Sequence, residues 1–97
     1  MSLRGSPVEQ TATLPDGREV RVRVGVPNDS YIKRRELETV DVELFVGDRP
    51  VAAVNTVLSP KQEGEARELA REIVAGLESG KLEPTAAAIE PLADEPR

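Results

Sequence analysis

Val20, Val22, Val24 and Val26 alternate with Glu19, Arg21, Arg23 and Gly25, directly behind the run Leu14-Pro15-Asp16-Gly17-Arg18. No other feature restricts the fold as tightly. Period-two alternation puts every valine on one face of a strand and is incompatible with a helix stripe. Proline presets the second position of a turn, and a glycine two residues on takes the left-handed conformation at no steric cost. A type I turn closed by a glycine bulge then pairs Leu14 with Arg18. That register sets Ala12 opposite Val20, Gln10 opposite Val22 and Val8 opposite Val24. The other face pairs Thr13 with Glu19, Thr11 with Arg21 and Glu9 with Arg23. A one-residue slip would invert every side chain, so the agreement of apolar with apolar and Glu with Arg supports the register. Gln10 is the one misfit on the apolar face.

A second hairpin follows a connecting loop over residues 27–36 and begins near Leu37. Val40, Val42, Leu44 and Val46 alternate with Thr39, Asp41, Glu43 and Phe45. Gly47-Asp48 is a two-residue turn with glycine first. Val51 to Leu58 returns as a fourth strand, in a register that Pro50 could shift by lengthening the turn. This strand is apolar on both faces, with Val51, Ala53 and Val57 on one and Ala52, Val54 and Leu58 on the other. It therefore asks for cover on both sides.

A helix comes next. Ser59 suits the N-cap, Pro60 the first helical position, and Gln62 completes a Ser-x-x-Gln box. Ala66, Leu69, Ala70, Ile73, Val74 and Leu77 make one stripe, and Gly80 is the stop. Gly64 and Gly76 each weaken the helix by roughly 0.8–1 kcal/mol relative to Ala. The reading is an α+β domain over residues 8–80: a four-stranded antiparallel sheet of two successive hairpins with one C-terminal helix on one face, ββββα. Residues 1–7 are a flexible lead. Residues 81–97 form an acidic tail with three prolines, partly disordered, in which residues 85–89 can make a helical turn or two.

Composition narrows the function. The 97 residues include no His, Cys or Trp, one Tyr and one Phe. Thiol chemistry, disulfides, Cys/His zinc sites and Ser-His-Asp machinery are therefore excluded. No glycine-rich phosphate loop or metal motif is present, so neither cofactor nor metal is expected. The net charge is -5. Residues 60–97 hold five basic and nine acidic side chains, a net of -4, which leaves the first 59 residues nearly neutral. That balance opposes non-specific duplex DNA binding, which needs several phosphates neutralised. No run is long enough to span a bilayer and the N-terminus carries no signal-peptide stretch, so a cytoplasmic address is expected. The bias toward Arg, Ala, Val and Glu suggests a GC-rich, bacterial source.

Three surfaces remain as candidates. Phe45, Val51, Ala53 and Val57 form an apolar excess suited to self-association or a protein partner. The alternative to association is cover by the tail. Arg21, Arg23, Tyr31, Lys33, Arg34 and Arg35 form a possible anion or single-stranded nucleic-acid site, in which Tyr31 stacks a base and the cations meet phosphates. Its bland counterpart is a solvated loop answered by Glu36 and Glu38. Asp41 and Glu43, two apart on one strand, could with Lys33 do acid-base work only if a partner or burial shifts a pKa. The favoured expectation is a non-enzymatic interaction domain, a homodimer or a subunit of a larger assembly, with nucleic-acid binding second. So small a core, without disulfides and almost without aromatics, is marginal alone, which also favours a dimer.

Overall fold

A computed structural model describes residues 7–25, 39–59 and 61–95 of the chain. Its elements in chain order are β1 (Val8–Thr13), β2 (Glu19–Gly25), β3 (Asp41–Val46), β4 (Arg49–Asn55), α1 (Glu63–Glu78) and α2 (Ala86–Ala93). The strands form one antiparallel meander in the order β1-β2-β3-β4. The architecture is the α+β arrangement expected from the alternation, with a second helix added.

The first hairpin has the expected register at all six pairs from Val8↔Val24 to Thr13↔Glu19. Leu14 N–H donates to the Arg18 carbonyl at 2.8 Å and Gly17 N–H to the Leu14 carbonyl at 2.9 Å. Gly17 sits at φ +93°, which is the left-handed bulge residue of the turn. The second turn is Gly47-Asp48, between the paired Val46 and Arg49. Gly47 has φ +63° and Asp48 does not have a positive φ, as a turn with glycine first requires.

Pro50 does not lengthen that turn. It lies inside β4 opposite Phe45, while Ala52 is opposite Leu44, so Val51 is the extra residue of a bulge. A proline cannot donate to the ladder and is tolerated at a bulge or an edge; here it has both. The bulge also decides which face is which. Without it Val51 would face the helices, whereas with it Ala52 and Val54 do.

The core lies between the sheet and both helices. Val20, Val22, Val24, Val42 and Leu44 pack against Leu69, Ala70, Ile73 and Leu77 of α1, all but fully buried. Helix α1 lies over β1 and β2. It begins at Glu63, three residues later than the Ser-Pro signal suggests. The Gln62 side-chain oxygen accepts from Ser59 N–H at 2.8 Å and Gln62 N–H donates to the Ser59 carbonyl at 3.0 Å. The box therefore closes a separate turn before the helix, and Gln62 itself has a non-helical ψ of 59°. Pro60 lies outside the described residues.

Past Gly80 the chain turns back across α1. Leu82 N–H donates to the Gly76 carbonyl at 3.0 Å, and an added Cβ at Gly76 would come within 2.9 Å of Leu82 Cβ. The glycine is therefore what lets the linker cross. Thr85 then caps α2, its hydroxyl accepting from Ala88 N–H at 3.3 Å. Ile89 and Ala93 enter the core against β4. Residues 81–95 thus pack on the unit that the sequence reading bounded at Gly80, and the helical turn or two expected at residues 85–89 is the start of α2. One buried polar side chain serves the sheet end: Thr56 Oγ1 donates to the Val40 carbonyl at 2.7 Å and accepts from Leu58 N–H at 3.1 Å.

Candidate interaction face

With both helices on one side, the other side of the sheet faces outward. Alternation delivers there Glu9, Thr11, Arg21, Arg23, Asp41, Glu43 and Phe45 from β1 to β3, and Val51, Ala53 and Asn55 from β4. Tail and fourth strand divide in a way the sequence did not reveal. The tail does fold back onto β4, but onto its helix-side face, where Ala52, Val54 and Leu58 are buried. Val51 stays 39% exposed and Val57, just past the strand, 50%. Ala53 between them is also exposed.

The charges on this face answer one another. Arg23, only 20% exposed, pairs with Glu43 at 2.5 Å and approaches Glu9 at 3.9 Å. The Glu9–Arg23 contact follows from the β1–β2 register. Glu43 joins because β3 pairs with β2 at Arg23↔Glu43. The same register sets Arg21 opposite Phe45, and the guanidinium carbon lies 4.7 Å from the ring centroid. Such a stack is worth about 0.5–1 kcal/mol at an exposed site, and it leaves Phe45 half-buried.

Asp41 and Glu43 are held by different partners. Glu43 is held by Arg23, while Asp41 accepts from the Asn55 side-chain amide at 2.8 Å, and the same amide donates to Thr39 Oγ1 at 2.9 Å. Partial burial pushes the Asp41 carboxyl above its usual range; the Asn55 hydrogen bond opposes this and the Glu43 charge adds to it. No group of three or more possible metal ligands occurs among the described residues.

Phe45 and Ala53 thus share the outer face with Arg21 and Arg23, with Val51 at the bulge beside them, and Val57 is exposed just past the strand. Tyr31, Lys33, Arg34 and Arg35 lie outside the described residues. Of the two described cations of that second candidate site, Arg23 is matched by two carboxylates and Arg21 covers a ring. Sequence reasoning missed Asn55 and the Arg21–Phe45 stack. The stack was accessible once β3 was placed beside β2, because Phe45 falls opposite Arg21 as soon as Glu43 is set opposite Arg23; Asn55 reaches Asp41 only through the bulged β3–β4 register. Compared with known protein families, curated proteins and solved structures, the chain matches none. No helix among the described residues is long and apolar enough to cross a membrane.

Proposed function

We propose that this protein is a non-enzymatic interaction domain that works as a homodimer, alone or within a larger assembly, by setting the outer sheet face of one copy against that of another. The observation that carries this reading is the pair of exposed valines, Val51 at the bulge of β4 and Val57 just past the strand. The tail packs Ile89 and Ala93 on the opposite side. Arg23 pairs with Glu43 and approaches Glu9 within a chain, which leaves one negative charge in excess there, and a two-fold axis brings like patch to like. A cytoplasmic, bacterial setting agrees with the composition.

Sedimentation of the wild type and of Val57→Glu at micromolar concentration tests this. A dimer that dissociates on Val57→Glu, with unchanged circular dichroism, is the expected result. A wild-type monomer at that concentration overturns it. Salt-sensitive binding of a labelled single-stranded oligonucleotide to a monomer would instead favour the nucleic-acid reading through Arg21 and the basic residues 33–35.

A further inference from the structure

We infer that the free edge of β4 at Ala53 and Asn55 is a docking groove for an extended basic peptide, which adds to the sheet as a fifth strand beside α2. The site shares Ala53 and Asn55 with the outer face but uses their edge-directed N–H and C=O, and it does not depend on the homodimer reading. The argument begins with the ladder. In an antiparallel sheet, residues that exchange hydrogen bonds with one neighbour alternate with residues whose N–H and C=O point the other way. The Leu14–Arg18 bond sets the phase: Val20, Val22 and Val24 bond to β1, so Arg21, Arg23 and Gly25 bond to β3. Val42 and Leu44 then bond to their partners Val54 and Ala52. Thr56 N–H donating to the Val40 carbonyl at 2.9 Å has the same phase. Ala53 and Asn55 therefore direct N–H and C=O away from the sheet, and no described residue takes them up.

Exposed strand edges are normally guarded by charge, proline, bulges or cover. The other edge of this sheet is guarded: β1 carries Glu9, and Thr13 N–H donates to Glu78 Oε2 of α1 at 3.4 Å. The start of β4 is guarded by Pro50 and its bulge. From Val51 to Asn55 there is neither a charged residue nor a proline. Beside that stretch is a groove of about 330 Å³, lined by Ala53, Val54 and Asn55 on one side and by Ala86, Glu90 and Asp94 on the other. The three α2 residues are four apart and share one helix face. Ala86 leaves space, while Glu90 and Asp94 are exposed and form no ion pair with any described residue. A strand added to β4 turns alternate side chains toward that wall. Main-chain pairing supplies affinity and alternate side chains supply selectivity, so lysine or arginine at every second position fits the two carboxylates.

A fluorescein-labelled peptide alternating lysine and valine is the probe, titrated into the full chain by anisotropy. Saturable binding that weakens with salt is expected. Ala53→Pro removes an outward N–H without touching the β3 ladder and should reduce affinity by about two- to tenfold, the equivalent of one lost hydrogen bond. Glu90→Gln with Asp94→Asn should reduce it by roughly three- to tenfold, as two exposed charge contacts do. Equal binding by the Ala53→Pro protein, or by a peptide with glutamate in place of lysine, overturns the inference. Should Ala53→Pro fail to fold, the same peptide N-methylated at alternate positions decides: undiminished binding by it overturns strand addition. If no peptide binds the full chain, the proposal fails.

Discussion

Gly64 and Gly76 lie in one helix, yet alanine should act oppositely at the two. On intrinsic propensity both replacements stabilise, by about 0.8–1 kcal/mol in a helix interior. Gly64 is in the first turn, where the gain is smaller, and nothing lies within 4 Å of the Cβ it would acquire. Gly64→Ala should therefore add about 0.5–1 kcal/mol. At Gly76 the new Cβ would lie 2.9 Å from Leu82 Cβ and 3.1 Å from Leu82 Cδ2. The first of these atoms is close to the backbone and cannot swing aside, so the linker must move. Overpacking of this kind costs about 1–3 kcal/mol. Set against the propensity gain, the net is a loss of about 1 kcal/mol, and the two variants should differ by about 2 kcal/mol. Urea denaturation with a slope of about 1–1.5 kcal/mol/M would separate their midpoints by more than about 1 M. Leu82→Gly removes both nearest atoms, so in that background Gly76→Ala should lose its penalty, and a double-mutant cycle isolates the coupling. Equal stabilisation by both alanines would refute the account of how the chain reaches α2. The question bears on function, because this crossing carries Ile89 and Ala93 to the helix side of β4 and leaves Val51 and Val57 uncovered.

Two further predictions concern the outer face. Arg23→Ala should destabilise by about 1–3 kcal/mol, since it strands a half-buried Glu43 and removes the neighbour of Glu9; a loss under about 0.5 kcal/mol in denaturant melts would mean that these pairs are ordinary surface contacts. For Asp41, the folded-state pKa is raised above the unfolded value. Its contribution to stability is therefore fully present below the unfolded pKa of about 3.9 and is lost as pH rises through the folded one. Asp41→Asn should gain on the wild type across that window and hold the gain to neutral pH; a difference that does not vary with pH would count against the burial argument.

Much of this was legible in the residues. The β1–β2 register followed from Leu14 to Arg18 and the valine alternation, because a turn sequence and a period-two pattern are local and each restricts the other. The Glu9–Arg23 contact came with it. Val51, Ala53 and Val57 could be grouped by counting, but that Ala53 shares a face with Phe45 could not, because the bulge at Val51 shifts the parity. Two readings went astray for local reasons. The Ser-x-x-Gln signal at Ser59 describes who bonds to whom, not where the helix starts. Pro50 near a turn cannot be told by sequence from Pro50 at a bulge, because both satisfy a residue without an N–H.

What the residues alone determined is the four strands and α1, with the two faces of each, since periodicity and turn chemistry act over a few neighbours. What only the tertiary structure decided is which faces meet. Ala86 to Ala93 has weak signals, a proline at Pro91 and little length, and its helix persists because Ile89 and Ala93 find β4. Gly76 reads as a defect until Leu82 is seen crossing it. Whether the tail covers Ala52 and Val54 or Ala53 and Val57 turns on a single bulged residue, Val51. That choice is made by long-range packing of Val42 and Leu44 against the helices, a term that no local window contains.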